Sequence, residues 1–93
     1  MDKDKAQMIC DAALAHFIAT SKPMLISDLA RACGTNARTV NAALWDRHPD
    51  FSLCEEDVWT GNQWTGRARL APAVMPSREY LVRLLIEARK IKE

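Results

Sequence analysis

Ile26–Trp45, ISDLARACGTNARTVNAALW, is the stretch on which the reading of this chain turns. Ser27 is placed to cap a short helix carrying Leu29, Ala30 and Cys33, and Gly34 breaks it. A second helix starts within two residues of that glycine. Its apolar residues Val40, Ala43 and Leu44 recur at three- and four-residue spacing, so they share one face. With so short a linker the two helices have no room to lie antiparallel, and they are expected to cross at a steep angle.

Two short helices over a glycine turn resemble the helix-turn-helix motif, with Gly34 as the turn glycine. In that register Ala30 fills the small-residue position where the helices approach. Leu29, Cys33, Val40 and Ala43 fill inward positions, and Thr35 stands where a larger apolar residue is usual. The resemblance implies that Asn36, Ala37, Arg38, Asn41, Ala42 and Trp45 occupy positions that often face DNA.

Upstream, Asp2 or Asp4 is suited to cap a first helix that continues to about Thr20. Met8, Ile9, Ala12, Ala13, Ala15, His16, Ile18 and Ala19 give it a broad apolar face, and Phe17 is expected to anchor it. His16 reads as a partly buried or surface histidine rather than a catalytic one. Ser21-Lys22-Pro23 ends the helix, and Met24-Leu25-Ile26 has the length of a short strand.

Downstream, the third helix is expected from about Asn36 to Arg47, with Thr35 as its cap and Pro49 just past its end. Arg47 and His48 suit its negative pole. Phe51–Cys54 reads as one strand, Glu55–Asp57 as a turn and Val58–Thr60 as a second strand. Gly61-Asn62 signals another turn, with Trp64 beyond it. Helix, short strand, two helices and a hairpin follow the order of a winged-helix domain, a resemblance covering residues 3–70. Either Glu55–Asp57 or Gly61–Gln63 serves as the wing tip. An acidic tip would repel phosphate, whereas Arg67 and Arg69 on an outgoing strand would reach it. Trp59 and Trp64 are expected to pack on the core or at an interface, the alternative being stacking on a base.

Gly66–Pro76 reads as an extended Pro/Ala-rich connection, and Ser77 is placed to cap a last helix over about residues 78–92. Tyr80, Leu81, Leu84, Leu85, Ala88 and Ile91 form an apolar stripe on it, with Arg83, Glu87 and Lys90 largely to the other side. A winged-helix core is complete without this helix. Its stripe therefore needs either helix one or a second copy of the chain, and these six residues are candidates for a dimer contact. The expected organisation is a winged helix-turn-helix over residues 1–71, a connector over 72–76 and a terminal amphipathic helix over 77–93. The fold class is mainly α with a small antiparallel β-hairpin.

At 93 residues the chain makes one small domain, and 48% hydrophobic with 27% charged residues is the balance of a folded protein. No apolar run approaches the roughly 18 residues of a membrane span, and MDKDKAQ leads into a mixed helix rather than a signal segment. A cytoplasmic protein with no membrane partner is expected. Cys10, Cys33 and Cys54 are odd in number and widely spaced, and His16 and His48 are not set with them as zinc ligands. Reduced, mostly buried thiols and no metal site are expected.

Net charge is only +1, but it is unevenly spread. Residues 1–50 hold six basic and six acidic side chains, whereas residues 67–92 hold seven basic against two acidic, a net of +5. No phosphate loop, GxSxG, HExxH or paired carboxylates beside a histidine are present, so neither an enzyme nor a cofactor is expected. Two functions remain. As a regulator of double-stranded DNA, the chain would present Asn36, Arg38 and Asn41 to base edges, with Thr35, Thr39, Arg47, Arg67 and Arg69 at phosphates, in a homodimer. As a protein-interaction module, it would offer Ala42 and Trp45 to a protein partner instead.

Overall fold

The computed structural model describes residues 3–47, 49–61, 64 and 66–92. Helix α1 is Lys3–Thr20, strand β1 Met24–Leu25, helix α2 Ile26–Ala32 and helix α3 Ala37–Asp46. Strand β2 is Phe51–Thr60, strand β3 Arg67–Pro76 and helix α4 Arg78–Lys92. The strands form an antiparallel sheet in the order β1-β3-β2. The domain is mainly helical, with a small three-stranded sheet and an additional C-terminal helix. Asp2, His48, Asn62 and Gln63, and the side chains of Ile91 and Lys92, lie outside the described residues.

The core is one cluster in which every helix before the hairpin takes part. Ile9, Leu29, Val40 and Val74 are wholly buried, and Ile26, Leu44 and Phe51 nearly so. Each such side chain removed from water contributes about 1.5–3 kcal/mol before the entropy of ordering it. Leu29, Ala30, Val40 and Ala43 occupy the inward positions expected of them, and Cys33 is half-buried. In α1 the buried side chains are Ile9, Cys10 and Ala13. Phe17 is only half-buried and does not anchor the helix, and Ile18 is 69% exposed. The apolar arc of α1 is wider than the surface available to cover it.

Both expected caps of the helix-turn-helix segment differ by one or two residues. Leu25, not Ser27, is the N-cap of α2, and no side chain caps it. Pairing of Leu25 with Ala73 holds that residue extended, so the helix starts directly after the strand. At α3 the cap is Asn36 rather than Thr35: its Oδ1 accepts the Thr39 N–H at 2.9 Å. Thr35 instead donates its N–H to the Ala30 carbonyl at 2.9 Å, which closes the turn. Gly34 has φ +65°, the left-handed conformation that only glycine adopts at no steric cost.

The hairpin is longer than expected. β2 runs unbroken through Glu55–Asp57 and pairs with β3 from Phe51↔Pro76 to Thr60↔Arg67. The acidic cluster is therefore mid-strand, and the hairpin turns between Thr60 and Arg67. The stretch read as a connector, 72–76, belongs to β3, the central strand. Pro72 is tolerated there because β1 reaches only Ala73 and Val74, leaving β3 an open edge at that point.

Ser77 starts α4 as expected, its Oγ accepting the Tyr80 N–H at 3.3 Å. Asp50 locks the root of this helix. Its carbonyl accepts the Ser77 N–H at 2.8 Å, and its carboxylate accepts from both Arg47 and Arg83. Arg47 also donates to Tyr80 Oη at 3.3 Å and lies over the Phe51 and Tyr80 rings. Beyond Leu84 the helix leaves the body, and residues 85–90 are all exposed. Two projecting elements give a radius of gyration of 15.0 Å, against about 12 Å for a compact chain of this length.

Candidate nucleic-acid interface

Helix α3 divides cleanly because its buried face repeats at helical spacing. Val40, Ala43 and Leu44 face the core, so Arg38, Asn41, Ala42 and Trp45 are turned outward and exposed. Arg38 and Asn41 are three residues apart and neighbours on that surface. Asn36 is exposed but differently occupied, since its carbonyl oxygen serves the helix cap and only its amide N–H groups are uncommitted by that bond. Thr35 and Thr39 are half-buried beside it.

Arg47 is placed elsewhere. It is half-buried, with its guanidinium shared among Asp50, Tyr80 and Gln7. Burial acts to lower its pKa, but the Tyr80 hydrogen bond and the neighbouring Cys10, Tyr80 and Asp50 outweigh that and hold it above the ordinary value. Its charge is spent inside the fold, on the root of α4.

Arg67 and Arg69 are exposed on β3, opposite Thr60 and Val58. Residues two apart, and residues paired across strands, share a face of the ribbon. One face therefore carries Arg67 and Arg69 with Glu56 and Val58. The other carries Leu53, Glu55, Asp57 and Trp59 with Leu70 and Pro72. Basic residues are confined to the first face.

The second face is the feature that sequence reading missed. Leu53 is 59% exposed, Trp59 62% and Leu70 62%, so Trp59 does not cover the helical core, and neither does Trp64 at 84%. Leu53 joins Trp45 at a groove of about 320 Å³ between the end of α3 and the base of β2, floored by Leu44 and Phe51. Phe51, Leu53 and Trp59 in one period-two phase are the available signal, interrupted by Glu55 and Asp57. Breaking the strand at the acidic cluster concealed it.

On α4, the six candidates for a dimer contact separate. Tyr80 packs on the chain's own core, with its ring 5.5 Å from that of Phe51. Leu81 and Leu84 are half-buried, whereas Leu85 and Ala88 are exposed, and the side chain of Ile91 lies outside the described residues. Val82 and Ile86, 46% and 48% exposed, widen the apolar arc beyond the expected stripe.

Burial pushes the thiol of Cys10 above its ordinary value of 9.0, an effect that the nearby Arg47 charge only partly offsets. Burial likewise raises Cys54, helped by Glu56. Among the described residues no helix is long and apolar enough to cross a membrane. Comparison with known proteins finds no family model, no characterised relative and no solved structure that matches this chain.

Proposed function

We propose that the protein is a small cytoplasmic regulator that binds duplex DNA as a homodimer. The observation that carries the reading is the outward face of α3, where Arg38 and Asn41 are exposed side by side on a helix whose other face is locked in the core. An arginine there matches guanine O6 and N7, and an asparagine matches adenine N6 and N7. Asn36 contributes a donor at most, because its acceptor is occupied by the cap. Arg67 and Arg69, with the half-buried Thr35 and Thr39, supply phosphate contacts that fix docking without reading sequence. Regulation follows from occupancy of a site, with no covalent step and no cofactor.

Selection of the full chain on random-sequence duplexes, at low and physiological salt, tests this. A selected site should lose about 1–3 kcal/mol of affinity in Arg38→Ala and relax at one base position, while Arg69→Ala weakens all sequences alike and reduces the salt slope by about 1. A folded Arg38→Ala variant that binds like the wild type would sink the reading.

A second reading is favoured by the groove beside α3. Trp45 and Leu53 flank a hollow from which Glu55 and Asp57 continue along the same ribbon face, a composition suited to a protein partner and repellent to phosphate. Salt-insensitive capture of a protein, abolished by Trp45→Ala, would favour that alternative.

A further inference from the structure

Two exposed apolar surfaces on this chain are opposite in charge. The face of the hairpin running from the groove outward carries Leu53, Leu70 and Trp59, and among the described residues its charged side chains are Glu55 and Asp57. The outer part of α4 carries Val82, Leu85 and Ile86, with Arg89 falling inside that apolar arc and Lys90 at its margin. Arg83 is not available to this surface, because it is tied to Asp50 at the helix root.

We infer that α4 of each subunit docks on the apolar, acidic hairpin face of a second copy, giving a two-fold dimer with two identical helix-to-hairpin contacts. Neither surface reaches its counterpart within one chain. The Asp50 clamp at Arg47 and Arg83 directs α4 away from the body, and residues 85–90 remain exposed. Parallel pairing of α4 with its own copy would bring Arg89 and Lys90 toward the same residues of the partner, with Glu87 alone to offset them over that stretch. Docking on the hairpin sets them against Glu55 and Asp57 instead. The ribbon is long enough to seat the helix: Val82 to Lys90 spans about 12 Å of helix, against about 20 Å of strand from Leu53 to Trp59. A two-fold interface requires one chain to carry both complementary halves, and this chain does.

The contact uses the C-terminal end of α3 and the acidic ribbon face, leaving Arg38, Asn41, Arg67 and Arg69 outside it. It rests on the homodimer of the proposed function but not on DNA contact: a failed DNA selection leaves it standing, whereas a monomeric chain removes the homodimer and leaves the α3 reading to the selection experiment.

Sedimentation of the full chain over a range of concentrations, without DNA, tests the inference with exposed residues whose exchange leaves the core untouched. The wild type should dimerise. A hairpin variant, Glu55→Lys with Asp57→Lys, and a helix variant, Arg89→Glu with Lys90→Glu, should each dimerise about tenfold or more weakly, a difference of about 1.4 kcal/mol. An equimolar mixture should recover a heterodimer, because one contact is then wild type and the other has both signs reversed. Circular dichroism checks that both variants fold. A wild type that stays monomeric overturns the inference. So does a hairpin variant that dimerises like the wild type, which would assign the contact to α4 pairing with itself, or a mixture that gains nothing over its components.

Discussion

The hairpin and α4 each live in two environments, and the boundary falls partway along both. At the base of the hairpin Phe51, Val74 and Pro76 are buried against the helices, while at its outer end Trp59 and Leu70 meet solvent on the same ribbon face. At the root of α4 Tyr80 packs on Phe51 and is held by Arg47, while Leu85 and Ile86, about one and a half turns further on, are 65% and 48% exposed. Apolar residues recur along both elements, interrupted by Glu55 and Asp57 on the hairpin and by Arg89 on α4. What changes is whether the helical body extends far enough to cover them. Stability therefore concentrates at the bases, and the outer ends are left exposed.

The largest test of this division is a pair of leucines. Leu29→Ala, at a wholly buried site, should cost about 2–5 kcal/mol in urea unfolding, whereas Leu53→Ala should stay within about 0.5 kcal/mol. Similar losses at the two sites in the monomer would break the comparison.

Asp50 probes the boundary itself. Asp50→Ala leaves Arg47, whose side chain is 30% exposed, without its carboxylate and releases Arg83. A loss of about 1–2 kcal/mol is expected, discounted for the solvent that reaches both arginines. Amide exchange should quicken through α4 and remain unchanged in α1. Unaltered protection in α4 would mean that the Tyr80 packing and the backbone bond from Ser77 to residue 50 suffice to hold its root.

Asn36 separates a structural role from a binding one at a single residue. Asn36→Ala should cost about 1 kcal/mol through loss of the cap, and Asn36→Asp should keep that stability. If the side chain also donates to DNA, affinity should fall in both variants, since aspartate has no N–H to offer.

The smallest effect is one of pH. Because burial raises the Cys10 thiol in the folded state, the unfolded chain releases its proton first as pH rises past 9.0. Stability should be intact below that value and decline from there up through the raised one, with Cys54 adding in the same direction. Cys10→Ala should flatten the decline in proportion to the share that Cys10 holds, as read from unfolding midpoints between pH 8 and about 10.5. An unchanged slope would place the titration elsewhere.

Local chemistry was readable where one residue or one spacing decides the outcome. Gly34 terminates α2 because it alone reaches φ +65° freely, and the 40/43/44 spacing orients α3 by simple periodicity. Ser77 caps α4 because nothing nearby competes for that role. These features set the helix order, the outward face of α3 and the last helix in advance. Tertiary structure decided the rest, where two local solutions were nearly equal or where a pattern needs a partner to be interpreted. Glu55-Glu56-Asp57 resembles a turn until β3 pairs with it residue for residue, and pairing carries backbone hydrogen bonds that outweigh weak strand propensity. Arg47 resembles a phosphate contact until the fold brings Asp50, Phe51 and Tyr80 around it. Trp59, Leu53 and Leu85 satisfy the pattern of core residues. They remain exposed because burial depends on the extent of the surface opposite them, a quantity set by the assembled fold rather than by any local run of residues.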